Sequence, residues 1–443
     1  MNKQTIDIGQ ILDERPFSRF QKGVVLLAAL AIVMDGFDGQ LIGYAIPTLL
    51  QEWGLTRNDL APTVAAGLVG MGIGSAAGGF FADRYGRRWA VILSVLTFGL
   101  ATGAIGFAQD LMQLTVLRFL AGLGIGGALP TATTMTAEFT PSRRRTLAVT
   151  ATIVCVPLGG MLSGLFAGQV IPLYGWRWLF FSGGILSLVL LVVLYGLLPE
   201  SPRYLVRHPA RLPQLRALLV RMGHEVPEQV SFTDSVEQAK EGQSGIGALF
   251  AHGLGRDTLT LWLACFMCLL TIYAAFSWLP TMLSAEGLSV SVASNGLAAY
   301  NMGGVLGALG CALMVTRLGS RIPLLVCCAG GAISAFLLLG IDVRGSTGLL
   351  VFGLGVHGLF TNAVQSVMYA LCAHVYPTKV RATGTAMALV WGRLGTVVSA
   401  FAGAAVITLG GLSGYVMMLG AAMLFVLLAL SLTRNHIPRR ATP

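Results

Sequence analysis

The chain has 443 residues, of which 55% are hydrophobic and only 11% are Asp, Glu, Lys or Arg. Soluble domains carry about 25% charged residues, so this composition excludes a series of soluble domains. The formal net charge is +10, but the basic residues punctuate apolar runs rather than forming one patch, which argues against a nucleic-acid partner. All seven Cys lie inside apolar runs, so a secreted disulfide framework is also excluded.

Apolar segments long enough to cross a lipid bilayer occur twelve times. A helix rises 1.5 Å per residue, so about 20 residues cross the hydrocarbon core. The sequence therefore predicts an all-α membrane protein with twelve transmembrane helices. In chain order, the predicted spans are residues 22–50, 60–82, 89–108, 111–137, 146–171, 176–198, 258–283, 291–315, 322–341, 346–373, 382–409 and 412–433.

One long polar segment, residues 199–257, divides these spans six and six. It predicts an N-terminal six-helix half over residues 1–198 and a C-terminal six-helix half over residues 258–443. The segment itself is expected to be a loop that joins the two halves.

Two motifs recur in both halves. GFFADRYGRR (79–88) matches ALMVTRLGSR (312–321) at an offset of 233 residues, and EFTPSRRRT (138–146) matches HVYPTKVRA (374–382) at an offset of 236. Two motif pairs at nearly one offset indicate a duplication, which is typical of carriers that work by alternating access.

The distribution of Lys and Arg predicts the orientation. Most of them lie at the two termini, in the central segment and in the connections on the same side. The connections on the other side hold only Arg57, Arg177 and Arg344. By the positive-inside rule, both termini and the central segment are expected to be cytoplasmic.

The connection between the second and third spans has the form G-x-x-x-D-R-x-G-R-R. It resembles the signature loop of the major facilitator superfamily, and PESPRYL (199–205) resembles that superfamily as well. The second-half copy departs from the pattern, with Thr316 where the first copy has Asp83. Only one complete gate motif is therefore expected.

The first span contains MDGFDG (34–39), which places Asp35 and Asp38 deep in an apolar run. Together with RATG (381–384) and GRLG (392–395), this motif is similar to the aromatic acid:proton symporter family. The resemblance covers about residues 15–435. It implies the major facilitator fold in a bacterial inner membrane. It also implies proton-coupled import of a benzoate-, hydroxybenzoate- or phenoxyacetate-type anion, by a carrier that works as a monomer.

Ionisable groups inside membrane spans are costly, so each is a candidate functional group. Asp35 lies about 20 Å from the start of its span, and Arg118 lies at about the same depth, which predicts an ion pair between them. This pair either takes part in proton coupling or simply holds two helices together. Asp38 is the favoured proton carrier, because it lies one turn from Asp35 and two neighbouring carboxylates repel each other.

Arg393 is the predicted anion site, because a guanidinium binds a carboxylate through two parallel hydrogen bonds. The alternative is that backbone carbonyls or the Asp35 and Asp38 carboxylates satisfy this charge. Rings and polar groups on the second-half spans are the other candidate substrate contacts, although aromatic residues serve packing more often than binding. These candidates are Trp391, Tyr273, Phe276, Trp278, Asn301, His357, Asn362, Gln365 and Tyr369.

A cytoplasmic gate is expected around the signature loop. Glu138 is interpreted as a latch that pairs with the basic loops, with a proton-transfer role as the alternative. The predicted gate residues are Gly79, Asp83, Arg84, Gly86, Arg87, Arg88, Glu138, Arg145 and Arg381.

Competing classes find little support in the sequence. It lacks a phosphate-binding P-loop, a metal-spaced His/Cys set and a nucleophile elbow, so an enzyme, a cofactor or a metal is not expected. A carrier of the same fold for a sugar, an aliphatic carboxylate or a drug remains the main alternative. A membrane sensor that does not transport is disfavoured, because the central segment is small for a signalling domain.

Overall fold

The computed structural model describes residues 4–14, 16–223, 230–233, 246–250, 254–377 and 380–439. Long apolar helices dominate this part of the chain. The elements are β1 Gln4–Asp7, α1 Ile8–Glu14, α2 Arg19–Trp53, α3 Arg57–Tyr85, α4 Arg87–Ile105, α5 Leu111–Phe139, α6 Ser142–Tyr174, α7 Trp176–Leu197, α8 Pro202–Val206, α9 Leu212–Arg221, β2 Val230–Thr233, α10 Gly255–Ala285, α11 Val290–Leu318, α12 Arg321–Leu338, α13 Thr347–Val375 and α14 Arg381–Leu432, with short 3-10 turns at Pro209–Arg211 and Ile246–Phe250.

Local sequence signals define where the helices begin and end. At the start of α2, the Ser18 hydroxyl accepts from the Gln21 N–H at 3.2 Å, and the Gln21 side chain accepts from the Ser18 N–H at 2.9 Å. This reciprocal capping box satisfies two N–H groups that a helix start leaves without partners. Gly54 ends α2 with a φ of 63°, a left-handed conformation that glycine adopts without strain.

The described residues contain eleven helices that are long and apolar enough to cross a membrane. The last of them, α14, has 52 residues and is interrupted at Gly411, where φ is 57° and ψ is −146°. Before this point, α14 runs in the same direction as α10, since Gly395 packs on Phe266 and Gly403 on Trp278.

After Gly411 the chain returns along α10. The Tyr415 hydroxyl donates to the Ala274 carbonyl at 3.0 Å, and the Thr433 and Thr260 hydroxyls lie 3.0 Å apart. Because α14 crosses twice, the described helices provide the twelve predicted spans. The turn falls between residues 409 and 412, where the sequence predicted the connection.

Glycines at matching positions confirm that the two halves are repeats. In the first half, Gly70 and Gly74 of α3 lie against the backbone of Phe119 and Leu123 in α5. In the second half, Gly303 and Gly307 of α11 lie against the backbone of Gly355 and Leu359 in α13. These contacts are separated by the same offsets of 233 and 236 residues as the sequence motifs. Small residues at helix crossings allow such close backbone contact in membranes.

The helices run alternately between two faces. The termini face carries the helix ends Arg19, Tyr85 and Phe139, and the distal face carries the ends Trp53 and Ile105.

The predicted central segment, 199–257, is divided between the halves. Leu215 and Leu219 of α9 pack with Ile8 and Leu12 of α1 in the core of the first half, and β2 pairs in parallel with β1. The 3-10 turn Ile246–Phe250 belongs to the second half, because the Leu249 carbonyl accepts from the Thr258 hydroxyl at 2.9 Å. Residues 224–229, 234–245 and 251–253 of this segment lie outside the described residues.

Candidate functional site

A cavity lies between the two halves, near the middle of the helices. Asp35 and Gln40 of α2, Met71 of α3, Arg118 of α5 and Tyr273 of α10 line it. Its volume is about 50 Å³, well below the roughly 300–1,000 Å³ of small-molecule pockets. The site is therefore contracted in this conformation, and a ligand of aromatic-acid size requires lining side chains to move.

Asp35 and Arg118 both line this cavity, but the predicted ion pair between them is not formed. No ion pair within 4.0 Å joins either group to another described residue. One carboxylate oxygen of Asp35, and the Nε and Nη1 atoms of Arg118, lack hydrogen-bond partners among the described residues. Equal depth along two helices does not determine how the side chains are oriented around them. Asp35 instead interacts electrostatically with Arg393 across the interface.

Asp38 lies behind the cavity, inside the first half. It is fully buried, and one carboxylate oxygen accepts a hydrogen bond from the Ser187 hydroxyl of α7 at 2.8 Å. The other oxygen lacks a hydrogen-bond partner among the described residues. Asp38 also interacts electrostatically with Arg118. A chain of charges thus runs from Asp38 through Arg118 to the cavity.

Arg393 of α14 reaches the same region from the second half. Its Nη1 atom lies 2.9 Å from the Met71 sulfur and 3.4 Å from the Tyr273 hydroxyl oxygen. Neither neighbour carries a carboxylate. The guanidinium therefore lies at the interface between the halves with neutral groups as its hydrogen-bond acceptors, which leaves it able to bind an anion.

Several predicted second-half residues surround these charges. Phe276 lines the central cavity and also an adjoining cavity of about 40 Å³. Asn362, Gln365 and Tyr369 of α13 line this second cavity. They lie three, four or seven positions apart and therefore share one face of the helix.

Asn301 links the halves instead of facing an open space. Its side-chain amide donates to Gln40 at 2.7 Å and accepts from Gln40 at 3.1 Å. This reciprocal amide pair joins α11 to α2. Gln40 and Met71, which the sequence analysis did not single out, thus both contribute to the site. In the sequence alone, a single Gln or Met in an apolar run cannot be distinguished from a residue that only packs against its neighbours.

Like Asn301, the predicted contacts Trp278, Trp391 and His357 do not line either cavity. Trp278 is fully buried and packs against Gly403. Trp391 is 36% exposed and stacks on Trp262 at a centroid distance of 5.3 Å. His357 is buried within the second half, with Nδ1 3.1 Å from the Gly331 carbonyl. Packing and local contacts hold these three side chains away from the two cavities, and their contact with a substrate stays a prediction.

The signature loop forms an ionic network at the termini face. Arg87 pairs with Asp83 at 3.0 Å and with Glu138 at 3.4 Å, and Glu138 also accepts from the Ser201 hydroxyl. The pairing of Glu138 with Arg87 agrees with the predicted latch geometry. All of these contacts lie within the first half, and the Asp83 side chain is 69% exposed.

Glu200, which the sequence analysis did not name as a gate residue, completes this network. Its carboxylate accepts from the backbone N–H groups of Ser201 and Arg88, at 2.8 and 3.1 Å, and lies against Gly86. Burial raises the pKa of the Glu200 carboxyl, while these N–H donors and Arg87 favour its charged form. In the second half the Ile437 carbonyl takes this place beside Gly319 and accepts from the Ser320 N–H at 2.9 Å, while the Ser320 hydroxyl accepts from the Ile437 N–H at 2.9 Å.

The remaining predicted gate residues make local contacts. Arg145 pairs with Asp13 and donates to the Ala137 carbonyl at 3.0 Å. Arg381 donates to the Tyr376 carbonyl at 3.3 Å. Two further contacts involve the signature loop: Arg88 donates to the Tyr195 carbonyl at 2.7 Å, and the Arg84 carbonyl accepts from the Tyr204 hydroxyl at 3.2 Å. At Gly79, a Cβ would meet none of the described residues within 4 Å.

The two halves meet toward the distal face and separate toward the termini face. Near the distal face, Gly43 lies against the Phe276 carbonyl, and the Ser291 hydroxyl donates to the Gly168 carbonyl at 2.6 Å. Along α3, buried residues run from Leu60 to Gly74, but of the remaining residues of this helix only Ala82 is buried. The contacts between the halves described here thus lie toward the distal face, whereas the end of α3 at the termini face is largely exposed.

The comparisons with known proteins agree with this architecture. The family model described as Major Facilitator Superfamily matches residues 28–344 and 261–443. The gallate transporter of Pseudomonas putida is 35% identical over 99% of this chain and 97% of its own length. The 4-hydroxybenzoate transporter PcaK of Pseudomonas putida is 36% identical over 92% of this chain and 91% of its own length.

Solved structures show the same fold. The xylose transporter XylE from E. coli, in an inward-open conformation, has a TM-score of 0.73 with this chain at 20% identity, and the match covers 94% of this chain and 97% of that chain. At this identity the likeness concerns the fold alone. With the family match, the full-length relatives and the duplicated six-helix halves taken together, the chain belongs to the Major Facilitator Superfamily.

Proposed function

We propose that this protein imports an aromatic carboxylate together with protons. The observation that carries the proposal is the Arg393 guanidinium, which lies at the interface between the halves with only the neutral acceptors Met71 and Tyr273. Tyr273 and Phe276 both line the central cavity and supply aromatic rings there. The relatives named for gallate and 4-hydroxybenzoate transport support the same substrate class.

Proton coupling follows from competition for one positive charge. Asp35 interacts electrostatically with Arg393, so a bound carboxylate and an ionised Asp35 share the same guanidinium. Protonation of Asp35 removes that competition and strengthens binding of the anion. Asp38 and Arg118 extend the charge chain into the first half, where a proton is exchanged without entering the substrate cavity.

Transport then requires alternating access between the two faces. The termini face is assigned to the cytoplasm of a bacterial inner membrane, which follows from the Lys and Arg distribution. In this assignment we infer a state that is open toward the cytoplasm, and the contacts between the halves near the distal face support it. Each monomer carries a complete cavity and is proposed to work alone.

Uptake into proteoliposomes tests this function. With labelled 4-hydroxybenzoate outside and an imposed gradient that is acidic outside, we expect accumulation above the external concentration, and we expect a protonophore to abolish it. Protein-free liposomes and labelled xylose serve as controls. Uptake that reaches the same level with and without the gradient would contradict proton coupling, and the absence of any uptake would contradict the substrate class.

The ionic network at the termini face leads to a separate prediction. Asp83→Asn removes the ion pair with Arg87 but lies far from the cavity, so affinity for the acid in equilibrium binding should remain within about two-fold of the parent. Turnover should fall at least about ten-fold, because the network biases the balance between the two open states. Parallel calorimetry and uptake measurements check this. A loss of affinity with unchanged turnover would show that the network does not act as a gate.

A further inference from the structure

The side chain of Met71 lines the central cavity and contacts Arg393. Its sulfur lies 2.9 Å from Arg393 Nη1, and it also accepts from the Tyr273 hydroxyl at 3.4 Å. Met71 belongs to the first half, whereas Arg393 and Tyr273 belong to the second. One thioether therefore bridges the halves at the predicted anion site.

A thioether is a weak and neutral acceptor, which makes it a poor permanent partner for a guanidinium. A carboxylate is a much stronger one, because both members of that hydrogen bond are charged. The Nη1 position that Met71 now occupies is thus the position for which an incoming carboxylate competes.

The backbone and the side chain of Met71 differ in their freedom to move. Gly122 and Gly126 of α5 lie directly against the Met71 backbone, so α3 cannot shift there without separating two closely packed helices. The side chain has three rotatable bonds and adapts easily to irregular spaces. Within the first half, only the side chain of Met71 is therefore free to change its position relative to α5.

We propose that Met71 is a displaceable placeholder for the substrate carboxylate on Arg393. In the empty carrier its sulfur satisfies the guanidinium and connects the halves, and the bound acid takes its place and releases that connection. Met71 is a positioning residue that acts through Arg393. This inference rests on the proposed import of an aromatic acid.

Two substitutions of Met71 change acceptor strength in opposite directions. Met71→Leu keeps a similar volume but removes the acceptor, so 4-hydroxybenzoate should bind about two- to ten-fold tighter, which corresponds to one hydrogen bond. Met71→Gln supplies a stronger acceptor and should weaken binding by a similar factor. Calorimetric titration of the purified full chain measures both. Matched controls are Met112→Leu and Met112→Gln, at a position that is 72% exposed.

The neutral amide of the same acid separates this mechanism from general damage. Its affinity should change less than two-fold in both Met71 variants, because it does not compete strongly for the guanidinium. A gain of affinity in Met71→Leu is a result that misfolding does not produce. Unchanged or weaker binding of the acid to Met71→Leu, or parallel changes for acid and amide, would overturn the inference while the proposed function stands. If the parent protein bound no aromatic acid, both would fall.

Discussion

Replacing Arg393 with Lys should weaken binding of an aromatic acid by roughly 10- to 150-fold. The substitution retains the charge but exchanges a planar fork for a compact, strongly hydrated ammonium. The loss corresponds to about 1.5–3 kcal/mol, the scale of a charge-assisted hydrogen bond, at ten-fold per 1.4 kcal/mol. Calorimetric titration with 4-hydroxybenzoate measures it directly.

The corresponding amide provides the control for this substitution. It should bind weakly to the parent and lose little further affinity in Arg393→Lys, because a neutral amide makes no charge-assisted hydrogen bond with the guanidinium. Arg344→Lys is a matched control, since Arg344 is exposed and donates to the Glu286 carbonyl away from the cavity. If acid and amide lost affinity equally, or if neither lost any, Arg393 would not be the anion site, and Arg118 would be the next candidate.

Replacing Asp38 with Asn should abolish accumulation driven by a proton gradient. Asn is nearly the same size and can still accept from Ser187, so packing is preserved while the titratable group is lost. The accumulation ratio should fall to about one, whereas exchange of labelled for unlabelled acid across the membrane should continue. Uptake and exchange in the same proteoliposomes measure the two activities separately.

Asp35→Asn extends this experiment to the carboxylate that lines the cavity. If Asp35 competes with the substrate for Arg393, its Asn variant should also fail to accumulate the acid. It should in addition bind the acid with less dependence on pH than the parent. Asp342→Asn, at an exposed position on the distal side, should behave as the parent does. Retained accumulation in Asp38→Asn would remove that residue from the coupling pathway.

The architecture was largely predictable from the sequence, because it depends on chain-wide patterns. Twelve apolar runs require twelve crossings, and motif pairs at one offset require two related halves. Even the reversal of α14 at Gly411 was expected within a few residues. The division of the central segment between the halves was not predicted, since charge and polarity do not indicate which surface a short helix such as α9 packs against.

The site was only partly predictable, for a geometric reason. Asp35 and Asp38 are three positions apart, so their directions differ by about 60° around the helix axis. That rotation is enough to place Asp35 in the cavity and Asp38 against α7. Depth along the chain could place Arg118 at the same level as Asp35, but it could not provide the lateral distance between them. Side-chain direction depends on helix rotation, which only the packed structure determines.

The function of polar residues inside the spans was also only partly predictable from the sequence. His357 and Asn301 were both expected to contact substrate, because a polar group in a membrane helix requires a partner. Asn301 has Gln40 as its partner in the protein. His357 has the Gly331 carbonyl beside Nδ1, but its Nε2 atom lacks a hydrogen-bond partner among the described residues. A sequence indicates that such a partner exists, but not whether it is a ligand or the protein itself.

The glycine contacts between α3 and α5, and between α11 and α13, also determine how motion in this carrier can be measured. Where two backbones touch, spectroscopic labels placed on both helices of one half would keep a constant separation through the transport cycle. Label pairs that span α2 and α11, which are joined by the side chains of Gln40 and Asn301, would change their separation. The glycine contacts between helices of one half thus provide a constant reference distance, against which the amplitude of the rocking movement can be calibrated in each state.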